Sequence, residues 1–151
     1  MSNLFHTAAV VGVGLIGSSL ARVLRRDKLA DKIAGAGHTQ KTLDTALELG
    51  VIDEAFTDVQ TAVKDADIVF VCTPVGAIGD IVNTCAPAMK KGAILTDVGS
   101  VKSAIAALDV PDFVRFVPAH PVAGTEKSGP ENGFAELFKD RWCILTPTEK
   151  T

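Results

Sequence analysis

The stretch Val10-Val11-Gly12-Val13-Gly14-Leu15-Ile16-Gly17 decides the fold of this chain. Its glycines have G-x-G-x-x-G spacing, and they follow an apolar run, Ala8–Val11, that is short enough to be a buried strand. Ser18–Arg25 then shows apolar positions at helical intervals. A strand, a glycine turn and a helix in this order are typical of a dinucleotide-binding site. The alternative is a tight corner that binds nothing, but the flanking strand and helix favour the site.

Each glycine of the motif has a separate predicted role. Gly12 permits the tight turn, Gly14 lets a pyrophosphate approach the backbone, and Gly17 lets the helix lie close to the strand. The first N–H groups of that helix then face the phosphates, and the helix dipole adds to the attraction.

Size and charge limit the classes of protein to consider. A chain of 151 residues with 47% hydrophobic and 22% charged positions can form one domain. The net charge of −3 gives no electrostatic surface for nucleic acid or an anionic membrane. Glycine, proline or charge interrupts every apolar run before it reaches the length of a membrane span.

The cysteines and the N-terminus indicate a cytoplasmic protein. Cys72, Cys85 and Cys143 lie in apolar contexts, so we expect buried, reduced thiols, neither a disulfide nor a metal cluster. Met1–His6 lacks the basic and apolar regions of a signal peptide.

Strand and helix patterns alternate along the chain. Beyond the first helix we predict strands at Lys32–Ala36, Glu54–Phe56, Asp67–Cys72, Ala93–Asp97, Val114–Val117 and Trp142–Leu145, and helices at Lys41–Leu49, Val59–Lys64, Ile78–Met89, Val101–Leu108 and Phe134–Phe138. Leu47 is expected to face inward, and Asp58 to cap the turn at Val59. This alternation predicts an α/β fold of the Rossmann type, a doubly wound, mostly parallel sheet with helices on both faces.

Four loops should meet at one edge of that sheet. They open at Gly12, at Thr73-Pro74, at Gly99-Ser100 and at His120, and each follows a predicted strand. Because the carboxyl ends of parallel strands share an edge, these loops should form the ligand crevice.

The end of the second strand bears on the choice of cofactor. NAD sites usually carry an acid there, but Gly35–Lys41 has none. His38, Thr39 and Lys41 offer hydrogen bonds to an added 2′-phosphate, so we favour NADP over NAD. The alternative is an ordinary turn and helix start.

The second of these four loops lies beside the glycine turn. Cys72, Thr73 and Pro74 close their strand where the strand order reverses, so their backbone can touch the ribose and nicotinamide end of the cofactor. Nothing nearby lowers the pKa of Cys72, which argues against a nucleophile.

Ser100 and His120 carry the predicted chemistry. Taken alone, Ser100 is better explained as a helix N-cap, and a lone histidine is more often structural. On the crevice edge, however, His120 can accept a hydroxyl proton while hydride leaves the same carbon. The prediction is that both side chains, from separate loops, meet at the reactive face of a nicotinamide.

These segments resemble the prephenate/arogenate dehydrogenases of tyrosine biosynthesis. The resemblance runs over nearly the whole chain and rests on Val10–Gly17, Cys72–Val75, Asp97–Lys102 and His120–Gly129. The glycine motif is common to many families. Gly-Ser-Val-Lys followed by His-Pro-x-Ala-Gly-Thr-Glu-Lys-Ser-Gly is the specific part.

The resemblance implies an oxidative decarboxylation of prephenate or arogenate. His120 would take the substrate hydroxyl proton, Ser100 would hydrogen-bond that hydroxyl and the histidine, and Glu126 and Lys127 would line the mouth of the site. The implied cofactor contacts are Gly12, Gly14, Leu15, Ile16, Gly17, Thr73 and Gly99, and no metal is implied. Many members carry an acid at the position of Gly37, and its absence agrees with NADP.

The resemblance also implies a second, helical domain that dimerises and supplies an arginine. We therefore expect residues 1–148 to form the dinucleotide-binding domain and residues 149–151 to begin a linker, with a homodimer formed through the other domain and weak or no turnover by this chain alone. Two alternatives remain open: a non-catalytic NAD(P)-binding sensor, and a dehydrogenase of the β-hydroxyacid type.

Overall fold

The computed structural model describes residues 3–151 of the chain. Its strands are β1 (Phe5–Val11), β2 (Ala30–Ala36), β3 (Glu54–Phe56), β4 (Ile68–Val71), β5 (Ile94–Asp97), β6 (Arg115–Val117), β7 (Ala119–Pro121) and β8 (Cys143–Leu145). Its helices are α1 (Leu15–Arg26), α2 (Gln40–Glu48), α3 (Val59–Val63), α4 (Val75–Cys85) and α5 (Ser103–Ala106). Short 3₁₀ turns lie at Ala86–Ala88, Pro130–Asn132 and Ala135–Phe138.

The first six strands form one parallel sheet in the order β3-β2-β1-β4-β5-β6. This is the doubly wound order, and it confirms the predicted fold class. The order reverses between β1 and β4, so the crevice for a ligand opens at the carboxyl ends of these two strands.

The core consists of two clusters, one on each face of the sheet. Alternate residues of β1 divide between them, because side chains of a strand point to opposite faces in turn: Ala8 and Val10 join one cluster, and Ala9 and Val11 join the other. All four are at most 1% exposed. Strands buried on both faces are therefore what the apolar runs of the sequence encode.

One prediction at the carboxyl half of the chain is wrong. The helix expected at Val101–Leu108 is only α5, four residues that begin at Ser103, so Ser100 is not its N-cap. The strand expected at Trp142–Leu145 is present as β8, Cys143–Leu145, and it pairs antiparallel with β7 outside the main sheet.

Two burial predictions are also wrong. Leu47 is 38% exposed, because Leu43 and Ala46 alone fill the inner face of the short helix α2. Cys143 is exposed, since every residue of β8 faces solvent. The Asp58 cap is confirmed: its side chain accepts a hydrogen bond from the N–H of Thr61 at the start of α3.

Candidate dinucleotide site and catalytic loops

The glycine turn between β1 and α1 leaves no room for side chains at two of its three glycines. Gly12 has φ +91°, and a Cβ there would lie 2.8 Å from the carbonyl oxygen of Cys72. A Cβ at Gly17 would lie 2.1 Å from the carbonyl oxygen of Gly12. At Gly14, by contrast, nothing lies within 4 Å of an added Cβ. That open space is where a ligand can approach the backbone.

The start of helix α1 has the properties of an anion site. Gly14 precedes the helix without a side-chain cap, and the first turn contains no acid. Ser19 directs its hydroxyl to the carbonyl of Leu15, at 2.7 Å, and so leaves the first N–H groups uncapped. Uncapped N–H groups and the helix dipole together favour phosphate.

A cavity of about 280 Å³ lies beside this turn and reaches the end of β2. Of the predicted site residues it is lined by Gly12, Gly14, His38, Thr39, Cys72, Thr73 and Pro74. Leu15, Ile16, Gly17, Lys41 and Gly99 do not line it, nor do Ser100, His120, Glu126 and Lys127.

Thr73 gives the cavity an unused polar atom. Its Oγ1 is buried and has no hydrogen-bond partner among the described residues. A buried hydroxyl without a partner costs free energy unless a ligand supplies the bond. An unpaired hydroxyl, an open glycine and an uncapped helix start all fit the ribose and phosphates of a dinucleotide.

The adenosine end of the cavity holds no acid among its described lining residues. A Cβ at Gly37 would meet Leu43 at 3.7 Å, an ordinary contact, so a side chain would fit there. The nearest acid along the chain, Asp44, is exposed and accepts a hydrogen bond from Gln40 at 2.8 Å. His38 and Lys41 are exposed at the surface, so a charged ligand group can contact them without being buried.

The loops of Ser100 and His120 are joined by a residue to which the sequence analysis assigned no role, Asp97. Its carboxylate Oδ2 accepts a hydrogen bond from the N–H of Gly99, at 2.9 Å, and is paired with the ammonium of Lys102. Oδ1 accepts a hydrogen bond from the N–H of Ala119 at 3.1 Å. An acid that ends an apolar strand two residues before a glycine was the available signal.

The two predicted catalytic side chains differ in exposure. Ser100 is exposed, and His120 is half-buried on β7, where it lies opposite Ile144 of β8. The Asp97 contacts fix the residue before each of them. The structure thus brings the backbones of the two loops to one carboxylate at the end of β5.

Glu126 and Lys127 lie on an exposed loop between β7 and β8. The second half of this loop returns to helix α1. The guanidinium of Arg22 donates to the carbonyl of Pro130 at 3.0 Å, and the N–H of Phe134 donates to the hydroxyl of Ser19 at 3.1 Å. The loop is therefore tied to the same helix whose start faces the glycine turn.

Cys72 is not activated. Burial raises the pKa of its thiol, and the nearby carboxylate of Asp97 raises that pKa further. A thiol that stays protonated is a poor nucleophile, which agrees with the sequence prediction.

A larger cavity of about 960 Å³ lies on the sheet face beside α1, and Asp97 and Ala119 are among its lining residues. Its lining is mostly apolar, with Ile68, Phe70 and Ile94 on the sheet and Leu145 on β8, and it includes none of the predicted site residues. We assign the dinucleotide to the smaller cavity because that one contains the glycine turn and the strand ends.

The described residues hold no cluster of His, Cys, Asp and Glu that suits a metal ion. Across residues 3–151, moreover, helices with both the length and the apolar character to cross a membrane are absent.

Comparison with known proteins connects this geometry to one family. Residues 20–151 match the model of the prephenate dehydrogenase nucleotide-binding domain. The cyclohexadienyl dehydrogenase of Zymomonas mobilis is 43% identical over 97% of this chain and 51% of its own length. The prephenate dehydrogenase of Bacillus subtilis is 33% identical over 100% of this chain and 42% of its own length.

Solved structures agree. Prephenate dehydrogenase from A. aeolicus, in complex with hydroxyphenyl propionate and NAD+, superposes with a TM-score of 0.87 at 35% identity over 97% of this chain and 52% of that one. Synechocystis arogenate dehydrogenase gives 0.86 at 38% identity over 96% of this chain and 51% of that one. The chain spans about half the length of these relatives. These matches and the cavity support binding of NAD or NADP.

Proposed function

This chain belongs to the prephenate dehydrogenase family, and we propose that it is the cofactor-binding, catalytic half of an enzyme that oxidatively decarboxylates prephenate or arogenate. The observation that carries the proposal is the joining of the Ser100 and His120 loops by Asp97, beside a cavity suited to a dinucleotide.

In the proposed reaction the substrate loses a hydride from its carbinol carbon and a proton from the hydroxyl on that carbon. Carbon dioxide then leaves, its bonding electrons stay with the ring, and the ring becomes aromatic as a phenolate, whose oxygen takes back the proton held by the base. Bound NAD(P)+ supplies the hydride acceptor. Aromatisation contributes much of the driving force, so the protein has to align the reactants and accept one proton.

His120 accepts the hydroxyl proton in this proposal. A half-buried imidazole at the crevice edge is accessible to substrate and carries a ring nitrogen that can act as a general base. Ser100 donates or accepts a hydrogen bond at the same hydroxyl and holds its position relative to His120. Glu126 and Lys127 line the mouth, where their exposure suits contact with a charged substrate.

The cofactor is held mainly by backbone groups. Gly12, Gly14 and Gly17 shape the turn, and the N–H groups of Leu15 and Ile16 face the phosphates. Thr73 donates its unused hydroxyl to the ribose, and Cys72 and Pro74 complete the wall. Gly99, which lies outside the cavity, is proposed to approach the nicotinamide end from the next strand end.

NADP is the proposed cofactor. The lining without an acid beside Gly37, and the exposed donors of His38, Thr39 and Lys41, support binding of an added 2′-phosphate. Titration of the chain with NADP+ and NAD+ side by side tests this, and tighter binding of NAD+ would overturn it.

The relatives are about twice as long, so we propose that residues 1–148 act with a second domain that completes the substrate site and forms a homodimer. Turnover by this chain alone is then weak. The cytoplasmic location is part of the same proposal.

Replacing His120 by asparagine tests the reaction. We expect His120→Asn to abolish NADP+ reduction with prephenate and with arogenate, while the affinity for NADP+ stays unchanged. His6→Asn is the matched control, because His6 lies at the start of β1 with a side chain that is 81% exposed. Equal rates for His120→Asn and the native protein would refute the role of His120. Cofactor binding without any hydride transfer, in this chain and in a form joined to the second domain of a relative, would instead support a sensor.

A further inference from the structure

We propose that Asp97 is a positioning residue that fixes Ser100 relative to His120 by holding the backbone of both loops. The proposal rests on the proposed function, in which these two side chains act on one hydroxyl. Asp97 is the last residue of β5, its side chain is completely buried, and nothing assigns it a role in the reaction.

Each carboxylate oxygen serves a different loop. Oδ2 accepts from the N–H of Gly99, the residue before Ser100, and Oδ1 accepts from the N–H of Ala119, the residue before His120. A carboxylate is planar and rigid, so the two hydrogen bonds set one loop against the other. Ser100 is exposed and His120 half-buried, so their positions depend on the backbone that carries them.

Gly99 is packed tightly against the Asp97 carboxylate, so a shift of this carboxylate would also shift the loop that carries Ser100. A Cβ at Gly99 would lie 3.0 Å from Asp97 Oδ2 and 2.7 Å from Ile78 Cδ1, so the turn has no spare room. Lys102 supplies the positive charge that makes burial of the carboxylate possible, since an unpaired buried charge would be very costly.

An amide cannot replace this carboxylate. Asp97 receives three donors: two backbone N–H groups and the ammonium of Lys102. Asparagine offers one accepting oxygen, and its NH₂ group would face a donor. Asp97→Asn therefore loses the hydrogen bond to Gly99 or the one to Ala119, and with it the fixed position of the Ser100 loop relative to strand β7.

Asp67 provides a matched control at the opposite end of the sheet. It precedes β4, accepts hydrogen bonds from the N–H groups of His6 (2.7 Å) and Thr7 (3.0 Å), and is paired with Lys90. Both N–H groups donate to one oxygen of Asp67, so Asp67→Asn can keep these bonds and loses the ion pair with Lys90, far from the strand ends where the site lies. A loss of fold stability is expected of both variants, but a change at the site only of Asp97→Asn.

The test measures whether removal of the Ser100 hydroxyl changes the environment of the His120 imidazole. The NMR signals of the His120 imidazole are recorded with and without Ser100→Ala, in the native, Asp67→Asn and Asp97→Asn backgrounds. We expect Ser100→Ala to shift these signals in the native and Asp67→Asn proteins and to have no effect in Asp97→Asn. No shift in the native background, or the same shift in all three, would overturn the proposal.

Turnover is measured in the same variants. For Asp97→Asn we expect kcat to fall about a hundredfold, the usual effect of misplacing reacting groups by about 1 Å, with the affinity for NADP+ unchanged. Asp67→Asn should keep the native kcat, and an equal loss in both variants would overturn the proposal. Absence of turnover in every protein, native included, even when joined to the second domain of a relative, would contradict the proposed function and leave the NMR result to decide on Asp97.

Amide hydrogen exchange of the unmodified protein covers the case in which Asp97→Asn does not fold. The N–H groups of Gly99 and Ala119 should both exchange slowly, because the buried carboxylate holds them. Fast exchange at either one would overturn the proposal.

Discussion

Gly14 and Gly17 lie in the same turn, yet replacing each by alanine should have different consequences. A Cβ at Gly17 would lie 2.1 Å from the carbonyl oxygen of Gly12, which is backbone and cannot rotate away. Helix α1 and the turn must then separate by about 1 Å, an overpacking cost of about 2 kcal/mol. A Cβ at Gly14 meets nothing within 4 Å in the free protein.

We expect Gly17→Ala to lower Tm by roughly 4 to 8 °C in the absence of cofactor. Its affinity for NADP+ should fall about a hundredfold, because two charge-assisted N–H bonds to phosphate are misaligned. Gly14→Ala should leave Tm nearly unchanged and still weaken binding at least about tenfold, because its methyl group occupies the space of the pyrophosphate.

Thermal unfolding and calorimetric titration measure the two effects separately. Gly79→Ala is the control, since a Cβ at this helix α4 position meets only Leu108 at 3.8 Å. It should raise stability by about 0.5–1 kcal/mol and leave binding unchanged. Native affinity in Gly17→Ala, or equal destabilisation by Gly14→Ala and Gly17→Ala, would refute the reasoning.

Three further predictions follow from single contacts. Gly37→Asp should fold normally, because its Cβ finds 3.7 Å of room beside Leu43, and should shift binding at least about tenfold from NADP+ toward NAD+ in parallel titrations. Thr73→Val removes the unpaired hydroxyl, so Tm of the free protein should rise by roughly 2 to 4 °C while the rise on adding NADP+ shrinks; a lower Tm would contradict this. Hydrogen bonds from Lys90 and from backbone N–H groups lower the pKa of Asp67. Asp67 therefore stabilises the fold above its unfolded-state pKa of about 3.9, and the Tm advantage over Asp67→Asn should vanish as the pH falls through the lowered value.

The main sheet could be predicted because its signals are local. Ile68–Val71 is an uninterrupted apolar run, and the spacing of Gly12 and Gly17 predicts the turn between β1 and α1. The meeting of loops at one edge then follows from parallel strand geometry without any further information. The same reasoning placed Thr73 at this edge, where it lines the cavity of about 280 Å³.

What escaped prediction depends on long-range contacts. Strand β7 is three residues that include a proline, and β8, which the sequence does predict as a strand, lies more than twenty positions away, so their pairing outside the main sheet could not be predicted. Helix α5 begins late because the backbone at Gly99 is held by Asp97 and not by a helical turn. The role of Asp97 itself requires knowing that Ala119 returns to it from across the sequence.

The loop between β7 and β8 connects two strands that pair with each other. Hydrogen bonds to Ser19 and Arg22 hold its second half against α1. A protease that cleaves the exposed bond between Glu126 and Lys127 would therefore leave both new ends attached to the fold. The nicked protein should migrate as two fragments after denaturation but as one particle in native buffer. This loop should therefore tolerate cleavage of its chain, but it should not tolerate loss of the β7–β8 pairing or of the hydrogen bonds to α1.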